Sequence, residues 1–214
     1  MIFNDRSDAG QQLAKKLTRF NNKSTVILAL VRGGVPIAYE IAKKLKLPMS
    51  VIVARKIGDP HNSEFGIGAI SEADTIYLDR LTINRLSISK EIIDNIIKSE
   101  KKELKRRVEV YRQEKKLTIL QNKIVILVDD GIATGVTIKG TIKTIRKLKA
   151  KKIILAIPVA ANDSLAKIAP LVDQYVCLHA TENLSAIGQF YKDFSQTTDI
   201  EVIQLLTSNQ PPSE

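Results

Sequence analysis

The chain contains few cysteines, histidines and aromatic residues, and each shortage argues against one kind of bond or binding site. Cys177 is the single cysteine among 214 residues, which excludes an internal disulfide bond and fits a reducing cytoplasmic compartment. The two histidines, His61 and His179, lie too far apart to form a structural zinc site with one cysteine. Tryptophan is absent and aromatics make up 5% of the chain, so stacking platforms for single-stranded nucleic acid would be scarce.

Long hydrophobic runs are also missing. No apolar run approaches the roughly 20 residues that a membrane-spanning helix needs. The opening residues, MIFNDRSDAGQQ, lack the basic and apolar regions of a signal peptide. We therefore expect a cytoplasmic protein without a membrane partner.

What the sequence does have is positive charge, with a formal net charge of +10. One interpretation is a polyanionic partner such as nucleic acid, and the other is a lysine-rich solvated surface. Lysine outnumbers arginine 23 to 10, whereas nucleic-acid sites are typically rich in arginine and interleaved aromatics. The composition favours the solvated surface and argues against a nucleic-acid partner.

Continuous apolar runs alternate with amphipathic stretches along the chain. Such runs are typical of strands buried on both faces, and they occur at 25–31, 49–55, 123–129, 152–160 and 174–180, with a shorter candidate at 75–79. Helical spacing is found at 8–20, 33–45, 88–114, from about 135, and at 163–169, while 57–70 has the composition of a glycine-bearing loop. The alternation predicts a three-layer α/β fold with a mostly parallel sheet. We expect one domain over residues 1–206 and a disordered tail over 207–214.

Residues 128–137, VDDGIATGVT, follow a buried strand and open a predicted helix. The unpaired N–H groups at the start of a helix attract an anion. Gly131 and Gly135 would let the backbone approach that anion, and Thr134 and Thr137 would add hydroxyl donors. This half of the stretch therefore predicts a phosphate site.

Two carboxylates, Asp129 and Asp130, stand directly before this phosphate site. Carboxylates accept hydrogen bonds from sugar hydroxyls and coordinate Mg²⁺. A simple helix cap would account for one polar residue but not for two carboxylates, two glycines and two threonines together. The combination indicates a ligand that carries both a phosphate and a diol.

The longer stretch VILVDDGIATGVT resembles the phosphoribosyl diphosphate motif of the type I phosphoribosyltransferases. The stretch LALVRGGVPIA at 28–38 is similar to the pyrophosphate loop of that family. Three further segments, at 53–72, 107–112 and 186–202, resemble a subgroup of bacterial phosphoribosyltransferases whose acceptor is generally unassigned. The resemblance covers residues 3 to 206.

This resemblance implies a phosphoribosyltransferase fold whose sheet has about six strands in the order 3-2-1-4-5-6, with strand 3 antiparallel. Strand 25–31 would then lie beside strand 123–129. Ligands of open α/β sheets bind at such a switch in strand order. Residues 32–34 would therefore meet Asp129 and Asp130 despite their distance in sequence.

The resemblance also implies an enzyme that displaces pyrophosphate from phosphoribosyl diphosphate with a small nitrogenous acceptor, with Mg²⁺ as cofactor. Asp129 and Asp130 would hold the ribose hydroxyls and the metal, Lys56 would act with them in catalysis, and a mobile loop at 57–70 would close over the site. The implied substrate-binding residues are Arg32, Gly33, Gly34, Arg55, Lys56, Asp129, Asp130, Gly131, Ile132, Ala133, Thr134, Gly135, Val136 and Thr137.

One position departs from the family pattern. Purine-specific members commonly carry an acidic residue where this chain has Ala133, so a purine acceptor that depends on that carboxylate is not expected. The aromatic residues Phe190, Tyr191 and Phe194 fit either a stacking surface for a flat acceptor or core packing. A homodimer is left open.

Two alternative functions remain. One is a regulator that senses phosphoribosyl diphosphate without catalysis and binds nucleic acid through its basic surface. The other is a different sugar-phosphate transferase or hydrolase, which would not need the loop at 32–34.

Overall fold

The computed structural model describes residues 2–113 and 116–209. Its helices are α1 (Arg6–Leu17), α2 (Gly34–Leu45), α3 (Arg80–Arg85), α4 (Lys90–Arg112), α5 (Val136–Lys147), α6 (Asn162–Ile168) and α7 (Asp199–Ser208). Its strands are β1 (Thr25–Leu30), β2 (Met49–Ile52), β3 (Ala54–Asp59), β4 (Asn62–Ser71), β5 (Thr75–Leu78), β6 (Ile124–Val128), β7 (Lys152–Ala161) and β8 (Gln174–Thr181). Three short 3₁₀ turns complete the described structure.

Five parallel strands form the central sheet, in the order β2-β1-β6-β7-β8. Strand β1 is buried along its whole length, because successive side chains enter hydrophobic cores on opposite faces of the sheet. Ile27 and Ala29 pack with residues of α1 and α2, whereas Leu28 and Leu30 pack with residues of α5 and α6. The predicted three-layer α/β fold is confirmed.

A second sheet, β3-β4-β5, is antiparallel and lies between α4 and α5. Ile57 and Ile67 pack against Ile93 of α4, while Ala69 faces Gly140 of α5. The prediction of a loop over 57–70 is therefore wrong, since this region forms the β3–β4 hairpin. Its glycines permit close approach between strands and a local shift in register, rather than marking an open loop.

The central sheet has five strands where about six were expected, because side chains occupy the free edge of β2. Arg112 donates to the carbonyl oxygen of Val51 at 2.9 Å and pairs with Glu72 at 2.8 Å. Glu72 in turn accepts from the N–H of Val53 at 2.8 Å. The expected antiparallel strand at 75–79 joins the second sheet instead.

Several element boundaries differ from the prediction. The expected strand at 49–55 divides at Val53 into β2 and β3, and α3 and α7 had not been predicted. Helix α7 extends through Ser208, so residues 207 and 208 do not belong to a disordered tail. The rest of that predicted tail, 210–214, lies outside the described residues. Within the described ranges, no helix combines the length and apolarity needed to cross a bilayer.

Candidate functional site

The candidate site lies where β1 and β6 end, side by side at the carboxyl edge of the sheet. A Cβ atom on Gly34 would lie 2.5 Å from the carbonyl oxygen of Val128, and one on Gly33 would collide with the carboxylate of Asp130. Only glycine allows this approach between the two loops. The structure therefore brings residues 32–34 against Asp129 and Asp130, as the resemblance implied.

Asp130 has a cationic partner that the sequence did not reveal. Arg6, the first residue of α1, donates from Nε and Nη2 to Oδ2 of Asp130 at 3.0 and 2.9 Å. Its Nη1 donates to the carbonyl oxygen of Ser195 at 2.7 Å, and its guanidinium lies 3.9 Å from the ring centre of Phe194. No motif surrounds Arg6, so nothing in the pattern separates it from the other surface arginines.

The two carboxylates share one partly buried position. Burial, followed by the charge of Asp130, raises the pKa of Asp129 well above its usual range. Burial also raises the pKa of Asp130, and Arg6 opposes that shift. Two adjacent carboxylates with a single guanidinium make a site that favours a further cation.

The residues present fit Mg²⁺ with two protein carboxylates. Asp129 accepts from the N–H of Asp130 through Oδ1 at 2.9 Å, and in the described ranges no hydrogen bond reaches its Oδ2. No group of three or more potential ligands is present in those ranges. Mg²⁺ commonly binds through one or two carboxylates, with phosphate oxygens and water in the other positions. Asp129 and Asp130 are therefore the candidate metal ligands.

The loop after these carboxylates is anchored at Ile132. This side chain is buried, and its N–H donates to the carbonyl oxygen of Val159 at 2.9 Å. Ile132 therefore anchors the loop through its side chain and its N–H, and its predicted place among the substrate-binding residues stays a prediction. The next N–H groups belong to the loop residues 133–135 and to the first two residues of α5, and within the described part of the chain none of them donates to another loop or element. These groups are the candidate phosphate donors.

The glycines of this loop have a packing role that the sequence did not predict. Gly135 adopts a left-handed conformation with φ 74°, and a Cβ atom there would lie 2.5 Å from Cδ1 of Ile168. A Cβ atom on Gly131 would lie 2.6 Å from the side chain of Ile187. The space in the Cβ direction of both glycines is filled by protein, so packing alone already requires glycine there, and their role in anion binding stays a prediction.

The β3–β4 hairpin reaches this loop through Gly66. A Cβ atom there would lie 2.5 Å from Cγ2 of Val136, 3.2 Å from Oγ1 of Thr134 and 3.4 Å from Cδ of Lys56. Lys56 Nζ donates at 3.0 Å both to the carboxylate and to the backbone carbonyl oxygen of Glu64, whose side chain is 90% exposed. Exposed ion pairs of this kind are weak, so the Lys56 ammonium can readily turn toward an anion at the loop.

The two predicted arginines hold other partners. Arg55 pairs with Glu100 of α4 at 2.7 Å. Arg32, which follows a cis peptide bond, contacts Asp199 of α7 at 3.4 Å. Tyr111 donates to the same Asp199 at 2.6 Å, and burial together with this hydrogen bond raises the pKa of Tyr111 to about 12. Asp199 was not anticipated, because its helix had not been predicted.

The aromatic segment near the C-terminus is mainly core. Phe190 and Tyr191 are buried, and the Tyr191 ring lies 5.3 Å from that of Phe3. The Tyr191 hydroxyl donates to the backbone carbonyl oxygen of Asp130 at 2.8 Å. Phe194 is half-buried beneath Arg6. Of the two interpretations left open, the structure favours packing that supports the acidic pair.

Fold and site together define an α/β protein with an acidic pair and an uncapped helix start at a switch in strand order. A family model described as "Phosphoribosyl transferase domain" matches residues 4–194. The chain belongs to this phosphoribosyltransferase family.

Curated relatives support the assignment, and a solved structure shares the fold. Mycobacterium tuberculosis proteins named "Putative phosphoribosyl transferase" are 39% identical over 205 residues, which cover 96% of this chain and 46% of theirs. The chain thus spans about half the length of these curated relatives. The crystal structure of TT1426 from Thermus thermophilus superposes with a TM-score of 0.81 at 29% identity, covering 97% of this chain and 99% of that one.

A purine phosphoribosyltransferase from Pyrococcus horikoshii is more distant. It superposes with a TM-score of 0.50 at 21% identity, covering 86% of this chain and 87% of that one. This similarity supports the fold alone.

Proposed function

We propose that this chain displaces pyrophosphate from phosphoribosyl diphosphate with a small nitrogenous acceptor, in a Mg²⁺-dependent reaction. The observation that carries the proposal is the contact of Gly33 and Gly34 with Asp129 and Asp130, which follow β6 and precede the loop into α5. A ligand with only one phosphate would not need both loops. A ligand with a pyrophosphate, a diol and a 5-phosphate would use all of them.

Each part of this ligand has a candidate binding group. The N–H groups of residues 133–137 and the threonine hydroxyls among them would hold the 5-phosphate. Asp129 and Asp130 would accept hydrogen bonds from the ribose hydroxyls. The loop at 32–34 would hold the pyrophosphate. Arg32 would leave Asp199 and bind the pyrophosphate instead. Lys56, whose present partner is exposed, would turn toward the bound anion.

The proposed chemistry is substitution at C1 of the ribose. The nitrogen lone pair of the acceptor forms the new bond to C1, while the bond from C1 to the pyrophosphate oxygen breaks and its electron pair leaves with pyrophosphate. The acceptor nitrogen then loses a proton. Mg²⁺, when bound, would supply positive charge to the leaving group. The protein contributes position and fixed charge around the reacting centre.

The acceptor proton cannot pass to a side chain at position 133. Ala133 is exposed, and its backbone carbonyl oxygen accepts a hydrogen bond from Ser164. We therefore propose an acceptor that releases its proton to water or to another group, rather than a purine that relies on a loop carboxylate.

The proposal can be tested by thermal unfolding with two matched ligands. Phosphoribosyl diphosphate with Mg²⁺ should stabilise the protein more than ribose 5-phosphate with Mg²⁺, because only the first can occupy the loop at 32–34. A ligand at 100 times its dissociation constant adds about 2.7 kcal/mol. Equal stabilisation by the two ligands would remove the pyrophosphate role of this loop.

Turnover separates the enzyme from the regulator. Nitrogenous bases would be added to the complex while pyrophosphate release is followed. The +10 charge is the feature that favours a regulator with a nucleic-acid partner. Tight binding of phosphoribosyl diphosphate with no release for any base, together with salt-sensitive RNA or DNA binding, would support the regulator instead.

A further inference from the structure

We propose that Arg6 is a positioning residue that gives the two carboxylates of the acidic pair, Asp129 and Asp130, different roles. It holds Asp130 as the acceptor for the ribose diol and leaves Asp129 as the carboxylate that faces the metal. This inference rests on the proposed function, and it concerns a residue outside both loops.

The first argument is the geometry of the ion pair. Two donors of Arg6, Nε and Nη2, converge on one oxygen of Asp130, Oδ2. Within the described ranges no side-chain or backbone donor reaches the other oxygen, Oδ1. Side-chain exposures of 11% for Arg6 and 17% for Asp130 shield the pair from water. Asp130 is thus fixed in one orientation with one oxygen left to accept from a hydroxyl.

The second argument is that the guanidinium is itself held from two other directions. Its Nη1 is bonded to the carbonyl oxygen of Ser195, and its face lies on the ring of Phe194. The backbone of Asp130 is fixed as well, by the hydroxyl of Tyr191. Arg6 is therefore built into the wall of the site, and a bound sugar finds Asp130 already oriented.

The third argument is charge. When both carboxylates are ionised, which is the form that binds a cation, they and the Arg6 guanidinium leave one net negative charge in the site. In the part of the chain that the structure describes, Asp129 forms no ion pair, and its Oδ1 is occupied only by a backbone N–H. The remaining charge therefore resides on Asp129. A divalent cation would be drawn to this carboxylate, while the cation of Arg6 keeps it from Asp130.

These arguments predict opposite changes for two ligands. In Arg6→Gln, the site gains net negative charge, so binding of a divalent cation alone should tighten several-fold. Asp130 loses its fixed orientation, so phosphoribosyl diphosphate at saturating Mg²⁺ should bind at least about tenfold more weakly, as expected for losing one ordered charge-assisted contact. Arg6→Lys keeps the positive charge but loses the paired N–H donors of the guanidinium. Cation binding should therefore stay as in the wild type, while binding of phosphoribosyl diphosphate should weaken.

The experiment is a pair of titrations on the full chain. Mn²⁺, which shares the carboxylate preference of Mg²⁺, would be titrated by its effect on water-proton relaxation. Phosphoribosyl diphosphate would be titrated by calorimetry at saturating Mg²⁺, and melting temperatures would confirm folding. Arg19→Gln is the matched control, because Arg19 also stacks on an aromatic ring, Phe20 at 4.8 Å, but does not contact the acidic pair. It should change neither affinity.

Each other outcome overturns the inference in a different way. Weaker binding of both ligands in Arg6→Gln would show that Arg6 only supports the fold. Tighter binding of phosphoribosyl diphosphate would show that Arg6 blocks the site, and unchanged affinities would show that it has no role there. If the wild type binds Mn²⁺ but not phosphoribosyl diphosphate, the proposed function fails. The Mn²⁺ titrations would then still test whether Arg6 withholds Asp130 from the metal.

Discussion

At the scale of single residues, Gly135 illustrates how one backbone conformation shapes the site. Its φ of 74° lies in the left-handed region, where a side chain costs about 1–2 kcal/mol. A Cβ atom at this position would point toward Ile168 in the core. The glycine therefore sets the path of the chain into α5.

The first prediction follows from this conformation. Gly135→Ala should lower the free energy of unfolding by at least about 1–2 kcal/mol, because the alanine is strained and meets Ile168. Urea denaturation of ligand-free protein measures this loss directly. Ala133→Val is the control, since it adds volume at an exposed position of the same loop and should change stability by less than about 0.5 kcal/mol. Stability of Gly135→Ala equal to that of the wild type would contradict the core role of this glycine.

The acidic pair and most of the phosphate loop could be predicted because their residues are contiguous. Asp129 and Asp130 stand beside the small residues that follow them, and the pattern itself indicates the chemistry. Arg6 could not be predicted, since it reaches Asp130 across 124 positions and belongs to no motif. The anchoring role of Ile132 could not be predicted either, because the pattern does not show that its N–H is bonded to Val159.

At the scale of elements, two pieces of the chain were misinterpreted for identifiable reasons. The glycines of 57–70 suggested a loop, yet they lie where β3 and β4 approach their neighbours closely. Helix α7 has a capping box between Thr198 and Glu201, a local signal that was available in the sequence. It went unnoticed because the following residues carry only a short apolar pattern.

Helix α7 also provides the element-scale prediction. Its first residue, Asp199, contacts Arg32 at 3.4 Å, with side-chain exposures of 34% for Asp199 and 22% for Arg32. We expect Arg32 to leave this partner when pyrophosphate binds. Asp199→Asn should therefore tighten binding of phosphoribosyl diphosphate by about 2- to 5-fold, the range that a partly exposed ion pair supports.

Calorimetric titration of this variant in Mg²⁺ would measure the change. Asp163→Asn serves as the control, because it also removes one carboxylate from the first turn of a helix, α6, but forms no contact with Arg32. It should bind as the wild type does. Weaker binding by Asp199→Asn would indicate instead that Asp199 holds Arg32 in its binding position.

At the scale of the whole molecule, the number of strands in the central sheet depends on the side chains that bind the backbone at its edge. Glu72 and Arg112 are each 8% exposed and together bind the backbone of Val51 and Val53. The alternation of apolar and amphipathic runs predicted the layers and the mostly parallel sheet, and the family resemblance implied the order of the strands. It could not predict five strands, because the contact that closes the edge joins residues 40 positions apart.

Removing the ion pair between Glu72 and Arg112 should destabilise the fold. Arg112→Ala leaves the Glu72 carboxylate buried without its partner, so the free energy of unfolding should fall by about 3–5 kcal/mol. Arg106→Ala is the matched control on the same helix, where the arginine side chain is 52% exposed, and its effect should be much smaller than that of Arg112→Ala. Urea denaturation of both variants would test this, and losses of equal size would contradict the structural role of the buried pair.

The central claim is that Asp129 and Asp130 bind the ribose diol and the metal of one ligand that also fills the loop at 32–34. Asparagine caps a helix about as well as aspartate does, so Asp129→Asn with Asp130→Asn separates binding from capping. The double variant should change the melting temperature little, because relief from burying two carboxylates offsets the weaker contact of an asparagine with Arg6.

The most direct measurement is calorimetric titration of wild type and double variant with phosphoribosyl diphosphate and Mg²⁺, followed by pyrophosphate release once an acceptor is known. We predict binding by the wild type only, and a loss of turnover of at least about a hundredfold, on the order of 3 kcal/mol in the barrier. Wild-type affinity and turnover in the double variant would contradict the account.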